Sequence, residues 1–307
     1  MSQHTKIRHK QHNSGSHLPF KIVGCSIPCE RHPSRNEDSY FIEHEGGLAA
    51  VFDGVGGSAA GEIAAQTARR ASRRKWYQEL HEIQQRSSLK KGIVNCDAAD
   101  YCAVLQRLIE TADEEVRTEG AREAGTDDLA TTVAMAMLCR GSESNAYTLY
   151  YAHVGDSRVY LLHENEPLKR LTTDDGLLGR LVESQMVEEE DARRIDQAMR
   201  SEELSEVEFS YFRLRGGITQ ALGGPVPPTI HLNSIPILIG DRVLLCTDGI
   251  HDNLTDNEIE EILRNSSRDA AARNLVAHSL NRSREERHVT VRAKPDDMSA
   301  IVITRRF

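Results

Sequence analysis

Leu48-Ala49-Ala50-Val51-Phe52-Asp53-Gly54 is an apolar run that stops at a carboxylate and a glycine. Short apolar runs that end at glycine read as buried strands. The same design returns at Val243-Leu244-Leu245-Cys246-Thr247-Asp248-Gly249. A third acidic pair, Asp296-Asp297, opens the apolar run Met298 to Ile303. Carboxylates at strand ends on distant parts of one chain build a site for hard divalent cations, which favour oxygen ligands. Such cations acidify a bound water and make it a nucleophile for phosphate esters.

Outward from these runs the periodicity gives the rest. Strands are expected at 21–26 and 39–43, followed by a long helix over 59–85. A second helix is expected over 98–124, with Val104, Leu105, Leu108, Ile109 and Ala112 at spacings of three and four. The period then shortens to two, and 131–138, 147–154, 158–162 and 168–171 read as an antiparallel meander. Residues 175–217 are dense in Glu, Asp and Arg and read as an exposed flap with helices at 177–185 and 188–200. Further strands are expected at 229–234, 241–247 and 298–304. Thr255 and Glu258 have capping-box spacing and open a helix to about 264; another covers 269–280. The order fits an α+β fold, a four-layer αββα sandwich of two antiparallel sheets flanked by helices. Residues 1–17 read as a disordered tail and 18–307 as the catalytic domain carrying the flap.

Composition narrows the function. The 307 residues carry a formal net charge of -9, which argues against nucleic acid as a partner. No apolar stretch approaches the ~20 residues that span a bilayer. The start is polar and His-rich, without the apolar centre of a signal peptide, so the cytoplasm is the expected compartment. Six cysteines are scattered rather than patterned as a disulfide framework or a zinc site.

Read together, Asn36-Glu37-Asp38, Val51-Phe52-Asp53-Gly54-Val55-Gly56-Gly57, Ala130-Thr131-Thr132, His153-Val154-Gly155-Asp156-Ser157-Arg158, Ile218 to Gly223, Thr247-Asp248-Gly249-Ile250-His251-Asp252 and Asp296-Asp297-Met298-Ser299 resemble the metal-dependent protein phosphatases of the 2C type, in particular their bacterial branch. The likeness runs from about residue 20 to the last strand. The resemblance implies hydrolysis of phosphoserine and phosphothreonine in proteins by water activated between two Mg²⁺ or Mn²⁺ ions. It gives Asp53 the bridging role and the Gly54 carbonyl a place on one ion. Asp248 and Asp296 would hold the other, with Asp38 beside or behind them. A third, weaker metal position would use Asp156 and Asp252, and Thr131, Thr132 and Ser157 would support the site by hydrogen bonds.

Two departures stand out. The family often has an arginine for the substrate phosphate five residues before the first Asp; here that place is Pro33, and Arg31 and Arg35 flank it as substitutes. Val55 follows the first Asp-Gly where eukaryotic relatives often have a histidine; His251 is a weak alternative proton donor. Phosphorylated proteins are the expected partners and a Ser/Thr kinase the expected antagonist. A phosphatase of small metabolites or regulators, or a binding module without catalysis, are the competing readings.

Overall fold

The structure is a computed structural model that describes residues 19–44, 46–55, 59–87, 95, 99–120, 122, 129–141 and 146–306. The expected tail at 1–17 lies outside them, as do Gly56, Gly57 and Cys96. Strand β3 (Leu48–Val55) shows why its sequence is apolar without alternation. Ala49 and Val51 face the opposing sheet, while Leu48, Ala50 and Phe52 face a helical layer. Both faces are buried, so both must be apolar. Strand β11 (Met298–Arg305) repeats this: Ile301 and Ile303 lie between the sheets, and Met298, Ala300 and Val302 face helices on the other side.

Strands β1 (Phe20–Ile27), β2 (Asp38–Glu43), β4 (Ala130–Thr131), β5 (Val133–Arg140), β6 (Tyr147–Val154), β7 (Arg158–Leu162), β8 (Lys169–Arg170), β9 (His231–Ile237) and β10 (Arg242–Cys246) complete the sheets. One sheet has the order β1-β11-β10-β7-β8; the other has β2-β3-β5-β6-β9, with β4 paired to β3. Every strand pair is antiparallel. Helices α1 (Ala59–Ser87) and α2 (Tyr101–Glu115) cover the second sheet with Ala64, Ala68, Trp76, Leu105 and Leu108. Helices α7 (Asp256–Asn265) and α8 (Ala271–Ser283) cover the first with Ile259, Leu263 and Leu275. This is the expected four-layer sandwich.

Three details differ from expectation. The meander is broken: β5 and β6 lie in one sheet, β7 and β8 in the other. The chain crosses between sheets at Gly155-Asp156-Ser157, where Gly155 has φ +93°, a backbone conformation that strains a residue with a side chain. The second helix is α-helical only to Glu115 and then passes into a π turn, Val116–Gly120. The flap has three α-helices rather than two: α3 (Leu177–Glu183), α4 (Glu189–Asp196) and α5 (Glu206–Leu214). The last opens with a complete capping box, Ser205 and Glu208, the same signal that marks α7 at Thr255 and Glu258.

Candidate metal centre

The two sheets converge at one end on a cavity of about 270 Å³. Asp53, Gly54, Asp156, Asp248 and Asp296 all line it. Asp38 sits directly opposite Asp53 in the β2–β3 ladder, just behind the lining. The short helix α6 (Asp248–His251) begins where β10 ends and so aims Asp248 at the same point.

The glycines explain how these backbones come so close. A Cβ on Gly54 would meet the Gly61 carbonyl oxygen at 2.1 Å, and one on Gly249 would meet that of Asp297 at 1.9 Å. Either substitution would push an acid-bearing strand end off its neighbour. Supporting hydroxyls hold what glycine lets in. Thr131 donates through Oγ1 to the Asp53 carbonyl at 2.8 Å, and the Thr132 amide donates to the same oxygen at 2.8 Å. Thr132 and Ser157 share a hydroxyl hydrogen bond of 2.7 Å. Thr247 donates through Oγ1 to Asp38 Oδ2 at 2.7 Å, a bond between the sheets that the sequence reading missed.

The centre is unbalanced in charge. Burial pushes the carboxyls of Asp38, Asp53 and Asp156 well above the ordinary carboxylate range, and mutual repulsion among the acids adds to it. Asp248 is raised for the same two reasons, with Lys294 pulling the other way. Among the described residues no hydrogen-bond donor reaches the Asp53 carboxylate. An all-oxygen set of crowded acids with free lone pairs is what Mg²⁺ or Mn²⁺ requires. The residues therefore fit a divalent centre.

The other expected residues divide. Of the Asp296-Asp297 pair, Asp297 is bound to backbone: Oδ1 accepts from the Cys29 amide at 2.6 Å and Oδ2 from the Glu37 amide at 2.8 Å. That leaves Asp296 as the member available to an ion. Asp252 is buried beside the centre, and its carboxylate is paired with Arg215 and Lys294. These two cations outweigh the opposing effect of burial and hold Asp252 well below its usual range. Arg31 is exposed, whereas Arg35 forms a 2.7 Å ion pair with Glu37, a lining residue. His251 is not placed as a proton donor. Burial lowers it to about 4, and its Nε2 donates to the Asp156 carbonyl at 3.0 Å.

Two features lie beyond the sequence reading. Lys294 reaches into the centre, with Nζ 2.5 Å from Asp248, 2.7 Å from Asp252 and 3.0 Å from Asp296. At the base of the flap, His153 and His231, opposite each other on β6 and β9, stack at 4.7 Å, and potential ligand atoms of both and of Asp175 fall within 4.8 Å. There His231 pairs with Asp175 at 2.8 Å, His153 donates to the Thr173 carbonyl, and Asp175 also accepts from the Gly155 amide. The group works as a clasp between flap and sheet.

Comparison with known proteins agrees with this geometry. The family model for protein phosphatase 2C matches residues 29–292. The chain is 25% identical over 217 residues to the serine/threonine phosphatase stp of Listeria monocytogenes, covering 71% of each. It is 28% identical over 248 residues to the serine/threonine protein phosphatase PstP of Mycobacterium tuberculosis, covering 80% of this chain but only 40% of PstP. Two crystal structures of PstP, each 24% identical and covering 94% of this chain, share the fold with TM-scores of 0.69 and 0.63; the second holds two manganese ions. A family match across most of the chain, on the fold and acid constellation just described, is decisive. The chain belongs to the protein phosphatase 2C family.

Proposed function

We propose that this chain hydrolyses phosphoserine and phosphothreonine in proteins, using two divalent cations, Mg²⁺ or Mn²⁺. The observation that carries it is the Asp53 carboxylate, open to the cavity, without a described protein donor, and ringed by Asp38, Asp156 and Asp248. Asp38, Asp53, Asp248, Asp296 and the Gly54 carbonyl would hold the ions. When bound, two ions supply charge neutralisation for the phosphoryl oxygens and lower the pKa of a water. The protein's own part is positional. Thr131, Thr132 and Thr247 fix the angles of Asp53 and Asp38, and the sheet ends keep the acids from moving apart. Of the two flanking arginines, Arg35 is the phosphate ligand, since it stands one contact behind the cavity wall.

A larger cavity of about 680 Å³ adjoins the first through Gly216. Its lining pairs Phe209, Phe212 and Leu177 with Arg213 and Arg287. Such a groove suits a peptide carrying its phosphate into the acidic centre, which favours a protein substrate over a small metabolite. The substrate requires a protein Ser/Thr kinase to supply it. No described helix is long and apolar enough to cross a membrane. The thiols of Cys25, Cys29, Cys102 and Cys246 form no disulfide, which supports a cytoplasmic setting. In domain terms, 18–307 is the catalytic unit and 175–217 its substrate-facing flap.

The test compares phosphate release from a phosphothreonine peptide and from small phosphorylated metabolites, with Mn²⁺ and with chelator. Faster release from the peptide, abolished by chelator, is expected. Preference for a metabolite would move the substrate class, and no release from either would leave only a binding module.

A further inference from the structure

Asp252 sits where the family resemblance puts a third, weaker ion, yet protein cations already occupy both of its carboxylate oxygens. Arg215 Nη1 is 3.3 Å from Oδ1, and Lys294 Nζ is 2.7 Å from Oδ2. Building on the two-ion reading above, we infer that the Lys294 ammonium, seconded by Arg215, takes the place of that third ion, so that the centre is complete with two.

The placement is built in. Asn253, fully buried, grips the backbone of Lys294 in both directions: Nδ2 donates to its carbonyl at 2.9 Å, and Oδ1 accepts from its amide at 3.1 Å. The same Nδ2 donates to the Gly249 carbonyl at 2.9 Å, so the Lys294 segment is tied to the turn that carries Asp248. Arg215 is anchored independently. It stacks on the Phe212 ring at 4.2 Å and donates through Nη2 to the Asp252 carbonyl at 3.1 Å. Asp252 is thus bound by a cation from the end of the flap and by another from the segment before β11.

The chemistry is consistent. An ammonium is a compact point charge with donors that rotate onto several oxygens. It neutralises the facing edges of Asp248, Asp252 and Asp296 without the tight octahedral oxygen shell that Mg²⁺ demands. A divalent ion on Asp252 would have to displace Lys294 and face Arg215 at close range. Among the described residues no cation pairs with Asp53 or Asp38, so two ion positions remain there. The Lys294 side chain keeps 37% of its exposure and lines the larger adjoining groove, while Asp248 and Asp296 line the cavity of the centre, so ions can reach the acids it touches.

Titration of metal-free protein with Mn²⁺ in a calorimeter tests this directly. The wild type should take up two ions per chain, with no third, weaker event. Lys294→Ala should gain a third, and Lys294→Arg should remain at two. In chelator, Lys294→Ala should melt below the wild type, and saturating Mn²⁺ should raise its Tm by more than it raises that of the wild type. A wild type that binds three ions with the same affinities as Lys294→Ala would overturn the inference. So would a Lys294→Ala that still binds two ions while its KM for phosphopeptide rises, since the lysine would then be a phosphate ligand. A wild type that binds no ions would instead defeat the two-ion reading on which this rests.

Discussion

Two clusters of charge lie on either side of the Gly155-Asp156-Ser157 crossover, and they behave in opposite ways. On one side Arg158 binds Asp174 at 2.5 Å and Asp196 at 3.3 Å, with Arg170 3.4 Å from Asp196. Burial disfavours the charges there, but the arginines outweigh it, and Asp174 and Asp196 fall below the usual carboxylate range. On the other side, Asp38, Asp53 and Asp156 are pushed well above that range. Both places are withdrawn from water. The first is closed by the protein's own charges, and it pins the flap to β7. Among the described residues, the second holds more carboxylate than cation. The sign of the shift separates acids paired with the protein's own cations from acids crowded together without them.

Substitutions should divide along the same line. Asp53→Asn is expected to give the largest functional effect, a loss of turnover beyond the roughly 10–100-fold that removing a supporting partner costs. In chelator the same variant should melt above the wild type, because it removes one of several repelling carboxylates. Steady-state rates and thermal melts of one preparation check both halves. Arg158→Met should do the reverse, lowering stability by roughly 3–5 kcal/mol by stranding buried carboxylates. Urea denaturation measures that loss, and a neutral result would show that the flap cluster is not what holds the flap.

Thr247→Val sharpens the contrast within the centre itself. It removes the hydroxyl from Asp38 and should cost roughly 10–100-fold in activity or metal affinity. Acidity gives a gentler test. Carboxyls with raised values keep protons in the folded state at a pH where the unfolded chain has released them. Their contribution therefore favours folding below that window and is lost as pH rises through it. Asp174 and Asp196 contribute the opposite way: their stabilisation is present above the ordinary carboxylate value and lost as pH falls through their depressed values. Melting curves in chelator should thus lose stability as pH climbs above the ordinary carboxylate range. Added Mn²⁺ should flatten that slope, and Arg158→Met should leave it in place.

How much of this was legible in the sequence depends on the kind of signal. The strand ends at Asp53 and Asp248 are local events, an apolar run broken by an acid and a glycine, so they could be read directly. The sheet membership of β6 and β7 could not, since alternation reports a strand but not its partner. Helix α5 could have been found: Ser205 and Glu208 carry the capping-box spacing that revealed α7, but the charge density of the flap masked it. The choice between Asp296 and Asp297 rested on family resemblance, and the structure supplies a physical reason in the two amides that bind Asp297. Lys294 gave no signal at all. A lysine before a proline reads as a solvated loop, and its contact with three acids exists only once α6 and β11 are packed.

Under the proposed function, the acids at the convergence of the two sheets gather a pair of divalent ions. Anomalous diffraction at the manganese edge, from crystals grown with Mn²⁺, tests it most directly. Two strong peaks about 3.5–4 Å apart are expected, beside the Asp53 carboxylate and within reach of Asp38, Asp248 and Asp296. A centre without anomalous density, with Asp53 satisfied by protein groups alone, would contradict it.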